Sequence, residues 1–300
     1  MVGAVYDLGY RPYDGKRGGR RAARAALFRT SVRRALGMRR SWRQKVAPSV
    51  LLGIAVVPAI INVGVSYLTR DTVGEEFEFI TYRDYVGVSN ALLVFVALTA
   101  PDIMCPDRRQ RILPLLFARP LTGIDYVVAK VGAMFAILFA FSFLPQVLLF
   151  VGQMLVSDDG ALSYARDNAE VIWQVPIAVG LLSVFYASIG VAVASLTSRR
   201  IIGGASIIGL FLVTSIVSGA LLSGGYTGDG TYIGEPSLAA LLDLLTLPLV
   251  LRDLVFLGQI EIGHPMSGLA NGGPLAIAVF TVVVVAALLT LLARYDEVER

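Results

Sequence analysis

Apolar stretches almost free of charge occur six times along this chain, each close to the roughly 20 apolar residues that cross a bilayer. They fall at about 48–68, 85–104, 131–156, 171–196, 201–223 and 274–293. The first reads PSVLLGIAVVPAIINVGVSYL and carries Pro58 as an expected kink. The third is long enough to tilt or protrude and holds Pro145 beside Gln146. The pattern predicts an all-α integral membrane fold with six transmembrane helices.

Two further segments are neither spans nor plain loops. In residues 19–42 the apolar positions Ala25, Phe28, Val32 and Leu36 recur at helical spacing among arginines, which predicts an amphipathic helix lying on the membrane surface. Residues 235–258 read EPSLAALLDLLTLPLVLRDLVFLG. The apolar run around Pro248 is too short to cross, and Asp243, Arg252 and Asp253 would lie inside any span drawn there. A re-entrant or interfacial helix pair is expected instead, with Ser237 capping the first helix, Pro248 separating the two and Gly258 ending the second.

Composition agrees with lipid as solvent: the 300 residues are 56% hydrophobic and 16% charged, and the mean hydropathy is +0.70, whereas soluble domains carry about 25% charged residues. A soluble enzyme is excluded. The first 45 residues hold thirteen Lys and Arg against two Asp, too basic and too poor in apolar residues for a signal peptide. With both termini cytoplasmic, 22 of the 26 Lys and Arg fall inside, leaving Arg70, Arg83, Arg166 and Arg252 outside with 14 of the 22 acids. The expected organisation is a cytoplasmic basic segment over 1–45, containing the interfacial helix, and a six-span domain over 46–300 in the inner (plasma) membrane. The basic run lies directly before a span, so topology explains it and no nucleic-acid partner is expected.

Candidate chemistry is sparse. Cys105 stands alone, so no intrachain disulfide or thiolate metal site is expected, and the single His264 sits in a Gly- and Pro-rich stretch as a solvent-facing loop residue. No catalytic, cofactor-binding or metal-binding residues are assigned. No G-x-x-x-x-G-K-S/T occurs, and Gly15-Lys16 is followed by arginine, so this chain is not expected to hydrolyse ATP. Polar residues within the spans are few: Asn62, Asn90, Gln146 and Gln153 are candidates for a translocation path, against the simpler reading of interhelical hydrogen bonds. A proton- or ion-coupled carrier would keep an ionisable group near a span centre, and none stands there.

The segment joining spans two and three is the most informative. It runs Pro106-Asp107-Arg108-Arg109-Gln110-Arg111-Ile112-Leu113-Pro114-Leu115-Leu116-Phe117-Ala118-Arg119-Pro120 and then Leu121-Thr122-Gly123-Ile124-Asp125-Tyr126, with Lys130 beyond. A cytoplasmic helix should stop at Arg119, since Pro120 disfavours helical geometry there, and Thr122 with Asp125 forms a capping box for the third span. Lys130 is expected to snorkel to the inner headgroups.

Here the chain resembles the permease family of type-2 ABC transporters, whose first cytoplasmic loop runs acidic residue, basic residues, Leu-Leu, Arg-Pro-Leu-Ser/Thr, then a lysine. Asp107, Arg108, Leu115, Leu116, Arg119, Pro120, Leu121, Thr122 and Lys130 meet that pattern. Gln110 and Arg111 stand where the family usually has Gly-Thr. The opening Tyr6-Asp7-Leu8-Gly9-Tyr10-Arg11-Pro12-Tyr13 resembles permeases of high-GC Gram-positive bacteria (actinobacteria).

The resemblance implies a membrane-spanning subunit that exports an amphiphilic, lipid-like or drug-like substrate. It also implies a second permease chain, in a homodimer or related heterodimer, and two copies of a cytoplasmic ATPase subunit that binds ATP and Mg. Coupling to that ATPase would use an apolar knob of Leu113, Leu116 and Phe117, oriented by Asp107, Arg108, Arg109, Arg111 and Arg119. Two other classes compete. A polytopic membrane enzyme acting on a lipid-linked substrate would need partners for Asp158 and Asp159 that the chain lacks, and a non-transporting scaffold or sensor would lack a neighbouring ATPase gene.

Overall fold

The computed structural model describes residues 18–37, 42–73, 80–86, 89–110, 121–157, 160–227 and 231–299. Among them the chain folds into ten α-helices: α1 (Gly19–Ala35), α2 (Trp42–Val73), α3 (Tyr82–Val86), α4 (Ser89–Arg109), α5 (Gly123–Val156), α6 (Ala161–Asp167), α7 (Val171–Ser195), α8 (Arg200–Leu222), α9 (Leu247–Leu257) and α10 (Gly272–Glu299). Six helices, α2, α4, α5, α7, α8 and α10, are long and apolar enough to cross a membrane. The protein is all-helical and has the make-up of a multi-pass membrane protein.

The six match the predicted spans, with informative shifts at their ends. The second is described as helix over Tyr82–Val86 and Ser89–Arg109, so it reaches beyond the predicted bounds at both ends. The third begins eight residues early, at Gly123, because the Thr122–Asp125 capping box forms: each side chain bonds the other's backbone N–H. Those bonds satisfy two donors that a helix start leaves open.

α4 and α7 lie at the centre, and α2, α8 and α10 at the margin. Close packing sets this order. A Cβ at Gly190 of α7 would stand 2.3 Å from Val96 Cγ1 of α4, and one at Gly152 of α5 would stand 2.4 Å from Val63 Cγ2 of α2. Glycine at these two positions lets the helix backbones approach where lipid supplies no hydrophobic drive. Aromatic pairs fill the wider gaps: Phe95–Phe141 joins α4 to α5 with centroids 4.4 Å apart, and Phe185–Phe280 joins α7 to α10 at 5.1 Å.

The 235–258 segment forms a 3₁₀ turn, Leu238–Leu242, followed by α9. Ser237 caps the first through Ala239 N, Pro248 opens the second, and Gly258 closes it with a left-handed φ of 68°. The 3₁₀ turn lies against α8, where Ser218 Oγ donates to Ala239 O at 3.0 Å and Ser215 Oγ to Asp243 Oδ2 at 3.2 Å. Ser215 lies about 10 Å before the end of α8, so the chain dips back alongside the span.

α1 is helical as predicted, but its packing face differs from the predicted stripe. Ser31 and Ala35 are buried and Leu27, Phe28 and Val32 half-buried, whereas Ala25 and Leu36 are exposed. The helix rests on protein: Leu27 and Val32 pack on the core, and Phe28 lies over Gly132 of α5.

Candidate functional site: a buried ion network where α4 ends and α5 begins

α4 ends in Asp107-Arg108-Arg109, and α5 opens with Asp125, Tyr126 and Lys130, the last two one helical turn apart and so on one face. Lys130 and Asp107 are each 1% exposed, with Nζ 2.5 Å from Asp107 Oδ2. Nζ also donates to Ile103 O at 2.9 Å and stands 5.2 Å from the centre of the Tyr126 ring. The Tyr126 hydroxyl donates to Asp107 Oδ2 at 3.0 Å, and Arg34 of α1 donates to Oδ1 at 2.5 Å. Tyr295 of α10 packs on Tyr126 with ring centres 4.7 Å apart.

Removing an ion pair from water costs several kcal/mol per charge, and only close geometry with further hydrogen bonds offsets it. Both Asp107 oxygens are engaged here, and Lys130 has a carboxylate, a carbonyl and a ring face around it. The expected snorkelling of Lys130 to the headgroups is therefore corrected: a buried carboxylate holds the ammonium inside the bundle.

α1 adds a second clamp. Arg20 Nε donates to Asp125 Oδ2 at 2.5 Å and its NH2 to Thr122 Oγ1 at 3.0 Å, while Arg24 lies 3.6 Å from Asp125. Arg108 turns the other way and donates to Ser195 O at 2.6 Å, binding the end of α7. Cys105 Sγ donates to Ala194 O and Thr197 O on the same turn, and Arg200 Nε meets Asp102 Oδ1 at 2.9 Å. Residues of six helices, α1, α4, α5, α7, α8 and α10, thus converge where α4 ends and α5 begins.

The sequence-predicted coupling residues divide accordingly. Asp107 and Arg108 are turned into the protein, and Arg109 is exposed. Arg111, Leu113, Leu116, Phe117 and Arg119 lie outside the described residues. Of the path candidates, Asn62 Nδ2 donates to Ile80 O at 2.8 Å, Gln146 Nε2 to Tyr82 O at 3.2 Å and Gln153 Nε2 to Ser66 Oγ at 3.0 Å. These bonds tie α2 and α5 to each other and to the 80–82 segment. The side chain of Asn90 lies outside the described residues.

A cluster at the opposite end of the bundle had no predicted role. Asp253 accepts from Arg252 at 2.7 and 2.9 Å and lies 3.7 Å from Arg83 Nε, while Arg83 reaches Glu261 at 2.5 Å. Arg252 also donates to Arg83 O at 3.3 Å, joining α9 to α3. Burial pushes the Asp253 carboxyl up, against the pull of Arg252 and Arg83. His264, expected to face solvent, is half-buried, and its Nδ1 accepts from Met266 N–H at 3.2 Å. Burial holds its imidazole below the usual value.

No group of three His, Cys, Asp or Glu able to hold a metal occurs among the described residues. The Asp107–Lys130 network joins α1, α4 and α5 through paired charges. The chain matches no protein-family model and no curated protein.

Proposed function

We propose that this chain is the membrane-spanning permease subunit of an ATP-binding cassette transporter, exporting an amphiphilic, lipid-like or drug-like substrate with ATP hydrolysed by a separate subunit. One observation carries the reading. The acidic residue that opens the loop pattern, Asp107, and the lysine that closes it, Lys130, lie 23 positions apart in sequence yet form a buried ion pair at 2.5 Å. A partner pushing on the segment between them would act on α4 and α5 together, and through Arg34 and Arg108 on α1 and α7. In this reading Leu113, Leu116 and Phe117 enter a groove on the ATPase, as a small apolar anchor does at protein interfaces, while Arg109, Arg111 and Arg119 fix its orientation.

The same reading places both termini and the 105–122 region in the cytoplasm and the 235–258 helix pair on the outer side. It pairs the subunit with a second permease chain and two ATPase copies. The test is to purify the tagged chain from its own host in mild detergent. A Walker-motif ATPase should co-purify near one-to-one. Recovery of the permease alone, from cells in which such an ATPase is expressed beside it, would sink the proposal.

A further inference from the structure

A cleft of about 1460 Å³ opens where the end of α4 meets the α7–α8 turn, and its polar wall is formed by Asp102, Arg109, Gln110, Ser198, Arg199 and Arg200. Its charge is one-sided. Three guanidiniums face a single carboxylate, Asp102, which is paired with Arg200. Arg108 adds nothing, being turned to Ser195 O. Arg109 and Arg199 are exposed and form no ion pair among the described residues.

Depth narrows the ligand. Arg109 is the last residue of α4 and Arg200 the first of α8, so the cations stand where two spans leave the hydrocarbon, whichever way the chain is oriented. Ile201 and Ile202, on the same cleft wall, are 86% and 46% exposed. The surface is therefore cationic at headgroup level and apolar directly beneath. Gln110 and Ser198 add neutral donors, and the first turn of α8 carries no side-chain cap.

We propose that this cleft binds the phosphate of an anionic phospholipid from the adjoining leaflet, with its acyl chains against Ile201 and Ile202. Guanidiniums pair with phosphate oxygens through a planar fork of donors, and basic pockets between spans are suited to anionic headgroups. The lipid is a resident of the fold, distinct from the exported substrate.

Native mass spectrometry tests this on the full chain released from nanodiscs holding equal phosphatidylglycerol and phosphatidylcholine. The parent should retain phosphatidylglycerol preferentially, less so at high salt. Arg109→Gln with Arg199→Gln should lower that retention by about tenfold or more, while Arg166→Gln leaves it unchanged. If the double variant misfolds, Arg109→Gln alone serves, since Arg109 makes no ion pair that packing depends on. Soluble glycerol phosphate should not displace the lipid. Equal retention of both lipids by the parent, unchanged preference in the folded variants, or displacement by the soluble phosphate would each overturn the assignment, the last by showing a site for a free anion.

Discussion

At one end of the helix bundle Lys130 and Asp107 are each 1% exposed, and Arg34, Tyr126 and a backbone carbonyl complete their bonding. At the other end Arg252 and Asp253 are nearly as buried, yet their neighbours Arg83 and Glu261 keep 21% and 48% of their side-chain surface in contact with solvent. Solvent reaches the edge of both clusters, through Arg34 (30% exposed) at the first and through Arg83 and Glu261 at the second, but Lys130 is itself closed in by Asp107, Ile103 O and the Tyr126 ring. Similar residue types therefore differ in what they join: the Asp107–Lys130 network links the long helices α4 and α5 to α1, whereas the Arg252–Asp253 cluster ties the short helices α9 and α3 and the Glu261 turn together.

The sharpest way to break the comparison is Asp107→Ala. It leaves a charged lysine buried with no carboxylate, an error that costs about 3–5 kcal/mol. Thermal unfolding in detergent should show a large loss, and adding Lys130→Met should restore much of it. Asp253→Ala should cost less, about 1–3 kcal/mol, because Arg252 still bonds Arg83 O and water reaches Arg83. Equal losses at the two ends would end the distinction.

The pH dependence of the 258–271 segment is smaller. With the His264 imidazole held below 6.5 by burial, the unfolded loop binds protons more readily than the folded one. The neutral ring's stabilisation is therefore complete above about pH 6.5 and is lost as pH falls through the lower folded value. Amide exchange over 258–271, corrected for intrinsic rates, should quicken between about pH 7.5 and pH 5.5, and His264→Gln should abolish that change. Smallest of all is Glu261→Gln, which removes a partly exposed pair and should shift stability by about 0–1 kcal/mol.

Local signals in the sequence announced much of this. Six apolar runs, the Thr122–Asp125 box, Ser237 and Gly258 each act within a few residues of themselves and have their counterparts in the structure, whereas span ends shift and Pro248 lies inside the first turn of α9 instead of between two helices. What escaped was long-range. Nothing near Arg34 points to Asp107, 73 residues on, and Lys130 sits where a snorkelling lysine would sit, one turn past Tyr126. Burial of that pair depends on α1 and α10 closing over it, and no local window contains both. An amide in a span reads alike in sequence whatever it meets, and only the structure shows that Gln146 donates to Tyr82 O.

The central proposal is that the stretch of chain between Asp107 and Thr122 is where an ATPase drives the helices. The direct measurement is ATPase retention by Leu116→Ala with Phe117→Ala, in protein that inserts and melts like the parent. Loss of two apolar anchors should weaken retention by about tenfold or more, while the Asp107–Lys130 pair and the melting temperature stay intact. Retention equal to the parent, with transport unchanged, would mean that the segment is only a topology determinant and that the coupling account is wrong.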